Sequence, residues 1–128
     1  MPKKVLVIDD DRDLVMISTI WVRAAGYDAM MAGGGAAGLA AAETYHPDLI
    51  LLDIMMPGVD GFQVSRRLKQ NPNLAHVPVI FLSAKVQEVA RLEAMAAGGR
   101  FFLPKPYERD DLIAGVASAL SPTESSVA

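Results

Sequence analysis

Three consecutive carboxylates, Asp9, Asp10 and Asp11, follow directly on the aliphatic run Val5-Leu6-Val7-Ile8. Aspartate is a poor strand former and like charges repel, so stability alone gives no reason for this junction. Carboxylates crowded into one small site shed charge by taking up protons or by binding a cation. A hard divalent ion such as Mg²⁺ suits oxygen donors and keeps several waters, so two or three aspartates are enough to hold it. Other apolar runs also end in polar groups: LILLD at Asp53, VPVIFL at Ser83, and FFLP at Lys105-Pro106. A carboxylate can act as a nucleophile toward phosphorus. An ammonium and a metal neutralise the oxygens of a transferring phosphoryl group, and a hydroxyl can donate a hydrogen bond to them. This inventory fits phosphoryl acceptance better than hydrolysis by a histidine base. His46 and His76 fall in loops at the opposite, amino-terminal ends of their runs.

Those groups form one site only if the runs are neighbouring strands that end on the same side. Apolar runs at 5–8, 27–32, 49–53, 77–82 and 100–104 alternate with segments of helical period at 12–25, 36–45, 60–70, 86–97 and 108–120. The first, third and fourth runs are almost continuously apolar, as in strands covered on both faces, and the other two are weaker, like sheet edges. The first helical segment places Leu14, Ile17 or Ser18, and Trp21 on one stripe before a stop at Gly26. Asp60 is placed to cap the third, which carries Phe62, Val64 and Leu68, and the last carries Leu112, Ile113, Val116 and Leu120. Five βα units in succession predict an α/β fold, doubly wound about a five-stranded parallel sheet, with helices on both faces. Open sheets of this kind gather functional groups beyond the carboxyl ends of the strands. Residues 1–121 read as one domain and 122–128 as a short polar tail.

The bulk composition narrows the function classes. The chain has 128 residues, 52% of them hydrophobic, which suits a packed domain. It has no cysteine, so disulfide frameworks, thiolate metal sites and cysteine nucleophiles are excluded. A net charge of −3 leaves no basic footprint, and the expectation is no direct contact with nucleic acid. No apolar span reaches the length of a membrane helix, so no membrane association is expected, and a cytoplasmic location fits.

Taken in order, VLVIDDD, PDLILLDIMMPGVDGF, VPVIFLSA and FFLPKP resemble the receiver domain of bacterial response regulators, from about Lys3 to Leu120. The resemblance implies a flavodoxin-like sheet in the order 2-1-3-4-5. It implies that Asp53 accepts a phosphoryl group from a sensor histidine kinase or a histidine phosphotransfer protein. By the same likeness Asp10 ligates Mg²⁺ (or Mn²⁺) directly, and Asp9 does so directly or through water. Met55 lends its backbone carbonyl, and Lys105 pairs with the phosphate. Ser83 and Phe102 take the switch positions, and the bond before Pro106 is expected to be cis. Such a domain is a signalling phosphoacceptor that promotes its own phosphoryl transfer and dephosphorylation, and is not an enzyme in the ordinary sense. It would control an output protein or domain through strand five and the helices predicted over 86–97 and 108–120.

The chain departs from the family pattern in places. Phe102 stands where many members have Tyr, so the switch ring has no hydroxyl. Met55 and Lys85, two positions after Asp53 and Ser83, imply altered hydrolysis of the phosphoryl group. Gly33 to Gly38 matches G-x-G-x-x-G between a strand and a helix, with Asp53 at a suitable distance, and so offers a dinucleotide-binding alternative. That alternative leaves Asp9, Asp10, Ser83 and Lys105 without a role, and a small-residue loop explains the glycines. A receiver that has become a phosphorylation-independent docking module is the other alternative, and the complete acidic, serine and lysine set weighs against it. Asp11 reads as a helix cap, and Met30, Met31, Met55 and Met56 read as packing.

Overall fold

The computed structural model describes residues 2–84 and 101–121. Five strands, β1 (Lys4–Ile8), β2 (Asp28–Ala32), β3 (Leu49–Asp53), β4 (Val79–Ser83) and β5 (Phe101–Pro104), form one sheet in the order β2-β1-β3-β4-β5. Every neighbouring pair is parallel. Four helices are described: α1 (Arg12–Ala24), α2 (Gly35–Tyr45), α3 (Gly61–Gln70) and α4 (Arg109–Leu120). The helix expected over 86–97, Lys85 and the tail from 122 lie outside the described residues. The architecture is the doubly wound α/β fold that the alternating pattern predicts, in the flavodoxin-like strand order that the resemblance implies.

Strand pleating splits the core in two. Leu6, Ile8, Ile50, Leu52, Val79 and Phe81 face α2 and α3, meeting Ala42, Val64 and Leu68. The alternate residues Val5, Val7, Leu49, Leu51, Ile80 and Leu82 face α1 and α4, meeting Val15, Val22, Leu112 and Val116. The three central strands are therefore buried on both faces, which is why their sequences lack polar alternation. Each such leucine or valine contributes ~1.5–3 kcal/mol of transfer free energy, enough to fix the register of the whole sheet. On the edge strand β2 only Ala29 and Ala32 are buried.

One open alternative is resolved and one expectation needs correction. On α1, Ser18 and not Ile17 turns inward, together with Val15, Thr19 and Val22, while Leu14 and Trp21 pack half-buried against the same core and Ile17 is exposed. The buried hydroxyls make this possible, because Ser18 Oγ meets Tyr107 Oη at 2.8 Å and Thr19 Oγ1 donates to the Val15 carbonyl at 2.6 Å. Of the four methionines expected to pack, Met56 is buried, whereas Met30, Met31 and Met55 are exposed.

The glycine run is a packing device. Gly35 and Gly38 are buried in α2, and a Cβ on Gly38 would lie 2.6 Å from Ile8 Cδ1, while one on Gly35 would strike the Val59 carbonyl oxygen. Gly38 lets α2 lie close on β1, Gly35 lets its start approach Val59 and Val64, and Gly33 and Gly34 face open space.

Candidate functional site

The chain turns sharply at the end of β1. Asp9 is buried, and its N–H donates to the Ala32 carbonyl at 3.1 Å, carrying the pairing with β2 one residue past the strand. The Asp11 N–H donates to Asp9 Oδ1 at 3.0 Å, and Asp11 Oδ1 accepts from the Leu14 N–H at 3.1 Å, capping α1. The triplet is thus divided as expected: Asp11 starts the helix, and Asp9 and Asp10 remain at the strand end. Asp10 is exposed.

Asp53 closes β3 and is only 3% exposed. The start of α3 presses against its backbone. The Gly61 N–H donates to the Ile54 carbonyl at 3.0 Å, and a Cβ on Gly61 would collide with the Asp53 carbonyl oxygen and come within 2.7 Å of Ile54 Cα. Only glycine fits there. Asp60 and Gln63 form a reciprocal cap on the same helix, at 2.9 and 3.0 Å. Helix α3 is therefore set on the loop that leaves Asp53 by a close contact that the local sequence pattern does not reveal.

Lys105 reaches the site from β5. Its N–H donates to the Ser83 carbonyl at 2.6 Å, which ties the turn after β5 to the end of β4. The Lys105–Pro106 peptide bond is cis. Lys105 Nζ lies 2.8 Å from Asp9 Oδ2 and 3.2 Å from Asp53 Oδ1. Ser83 is buried at the end of β4, and Phe102 is half-buried against the core on the α2–α3 face. Met55 follows in the loop after β3 with its side chain exposed. His46 and His76 stand away from the strand ends that carry the carboxylates, as their positions in the chain require.

The electrostatics are those of a site with more negative charge than it can hold. Burial, then the neighbouring Asp9 charge, pushes the Asp53 carboxyl up from 3.8 to about 7, although Lys105 pulls the other way. For Lys105, burial works against the ammonium, but the proximity of Asp9 and then Asp53 outweighs it and holds the group above its usual value. Asp9 Oδ2 is near Lys105 Nζ by distance, yet it has no aligned hydrogen-bond donor among the described residues. Asp9, Asp10 and Asp53 each offer a carboxylate oxygen, all within 4.8 Å of one another. An under-satisfied buried carboxylate in an all-oxygen set is suited to a hard divalent cation.

The chain is similar to known proteins in sequence and in fold. The response regulator receiver domain matches residues 5–117. The DNA-binding dual master transcriptional regulator RpaA of Synechocystis is 37% identical over 124 residues, 97% of this chain and 51% of RpaA. The chain thus spans about half the length of that relative. The chemotaxis protein CheY4 of Vibrio cholerae superposes with a TM-score of 0.91 at 25% identity, covering 94% of this chain and 100% of CheY4. The receiver domain of the sensor histidine kinase PA1611 from Pseudomonas aeruginosa superposes with a TM-score of 0.85 at 25% identity, covering 94% of this chain and 98% of that one, and holds a magnesium ion in its active-site cleft.

One expectation is overturned by these relatives. An acidic balance was taken to exclude nucleic acid, yet RpaA is a DNA-binding regulator. Net charge over a segment matching half of a regulator does not report on a DNA-contacting surface in the other half. The fold, the strand-end carboxylates and the matched family agree, and this chain belongs to the response regulator receiver domains of two-component signalling.

Proposed function

We propose that Asp53 accepts a phosphoryl group from the phosphohistidine of a donor protein in the cytoplasm, with a divalent cation held by Asp9, Asp10, Asp53 and the Met55 backbone carbonyl. The supporting observation is the convergence of three carboxylates within 4.8 Å, with Lys105 Nζ 2.8 and 3.2 Å from two of them. Mg²⁺ or Mn²⁺ bound there would neutralise the phosphoryl oxygens and favour the ionised form of Asp53. An Asp53 oxygen attacks phosphorus in line; the P–N bond breaks, and its electron pair returns to the imidazole, which takes a proton. The Lys105 ammonium shifts its contact from the carboxylates to a phosphoryl oxygen, and the Ser83 hydroxyl donates to another. Attack of water on phosphorus later releases phosphate and regenerates Asp53. Met16, Ile17 and Ile20 offer an exposed apolar surface on α1, whose first turn lies beside the carboxylates, and this is where the donor would dock.

The new charge biases a two-state equilibrium. Ser83 is drawn inward, Phe102 follows, and the surface around β5 and α4 changes for the output partner. By likeness to RpaA, that output is control of DNA binding. Incubation with a labelled phosphohistidine donor tests the reaction. Label should enter the wild type with Mg²⁺, not after chelation, and not in Asp53→Asn. Labelling of Asp53→Asn at the wild-type rate would overturn the assignment.

A further inference from the structure

The turn that carries Lys105 is anchored on both sides of that residue. Before it, the Lys105 N–H is bonded to the Ser83 carbonyl at the end of β4. After it, Tyr107 drops its ring between α1 and α4, where it is 7% exposed, and its hydroxyl meets Ser18 Oγ of α1 at 2.8 Å. Ser18 is completely buried. Tyr107 is close enough to the carboxylates for Asp9, Lys105 and Asp53 all to bear on its hydroxyl, though burial is the larger influence. Nothing in packing alone demands a hydroxyl on either partner, because a phenylalanine and an alanine would fill the same core. Ser18 also sits on the same helical turns as Met16, Ile17 and Ile20, which point the other way, to solvent.

We infer that the Ser18–Tyr107 hydrogen bond is a positioning element for phosphoryl transfer: it fixes the Lys105 turn from α1 and holds the ammonium at the contact point shared by Asp9 and Asp53. The inference rests on the reading of Asp53 as phosphoacceptor and Lys105 as the group that meets its phosphoryl oxygens. The Tyr107 hydroxyl is bonded to Ser18 and acts through Lys105. An ammonium on a long flexible stem is effective only where its turn is held, since misplacement by about 1 Å can cost orders of magnitude in rate. The tether also links the helix proposed to receive the donor with the group that stabilises the transferred charge.

The test is a cycle of variants measured with acetyl phosphate and Mg²⁺. Tyr107→Phe should slow transfer to Asp53 about five- to tenfold, the size expected for one lost hydrogen bond that acts on the transition state. Ser18→Ala should slow it equally, and the double variant should be no slower than either. In a Lys105→Gln background, Tyr107→Phe should change nothing further, whereas a purely structural defect would slow transfer there too. The tether is overturned if Tyr107→Phe and Ser18→Ala both stay within about twofold of wild type, or if either slows transfer by the same factor without Lys105. If Tyr107→Phe does not fold, Ser18→Ala alone carries the cycle. The ¹⁵N resonance of Lys105 Nζ gives a readout that does not need phosphorylation. It should shift in both single variants, and an unmoved resonance overturns the tether even if the wild type takes no label. A wild type without label but with a shifted resonance would instead remove the phosphoacceptor reading and leave the tether standing.

Discussion

Asp53 is pulled by two opposing influences, burial with the Asp9 charge against its ionisation and Lys105 in favour of it, and the first pair prevails. Its folded pKa of about 7 stands above the ordinary 3.8. Between those values the folded chain binds more protons at this residue than the unfolded chain does. The stability it contributes is therefore complete below pH 3.8 and is lost as pH rises through about 7. Urea denaturation without divalent cations should show the wild type weakening relative to Asp53→Asn from pH 5 to pH 8. Parallel curves for the two proteins would contradict the raised pKa. Removing Asp10, the exposed member of the set, should weaken Mg²⁺ binding by about tenfold or more, ~1.4 kcal/mol, in a calorimetric titration. Unchanged affinity would take Asp10 out of the metal set. At this scale the sequence is legible where a group lies at a strand end: Asp9, Asp10, Asp53, Ser83 and Lys105 are all found that way. Tyr107 is not, because its partner Ser18 lies 89 residues away and no local pattern joins them.

At the level of elements, close backbone approach decides where the carboxylates sit. Gly61→Ala should destabilise the chain by ~1–3 kcal/mol, since its Cβ must displace the Asp53 carbonyl or the start of α3. Gly33→Ala, in open space, should stay within ~1 kcal/mol of wild type. Equal effects in chemical denaturation would refute the claim that one glycine is a contact and the other a loop residue. Sequence period located all five strands and the four described helices, but on α1 it left Ile17 and Ser18 as alternatives, and it is Ser18 that turns inward. Met16, Ile17 and Ile20 are more apolar than Ser18 and Thr19, so hydrophobicity alone cannot choose Ser18 over Ile17. The hydroxyls are buried because each has a partner, and a partner across the fold is invisible to periodicity. The glycines of 33–38 mislead for a related reason, since tight helix–strand packing and a phosphate-binding turn both select residues without side chains.

For the molecule as a whole, the proposed reaction puts cation binding, proton release and phosphorylation on one site and so links them. A divalent ion that prefers the ionised carboxylates should stabilise the fold, by ~2.7 kcal/mol at a hundred times its dissociation constant. The stabilisation at a fixed submillimolar Mg²⁺ concentration should be larger at pH 8 than at pH 5, because protons no longer compete for Asp53. Thermal melts at the two pH values check this, and no pH dependence would sever metal binding from Asp53. The doubly wound fold was legible from the alternation of apolar runs alone, because burial of the central strands on both faces leaves so plain a trace. The nucleic-acid expectation failed because net charge belongs to whatever stretch is counted, and RpaA is about twice as long as this chain. The account stands on the chemistry of one carboxylate, and peptide mapping by mass spectrometry after treatment with a phosphodonor and Mg²⁺ tests it most directly. A hydroxylamine-sensitive phosphoryl group on the peptide containing Asp53, assigned to that residue, is the predicted result. A modification mapped to Asp9, Asp10 or any other residue, with Asp53 unmodified, would contradict it.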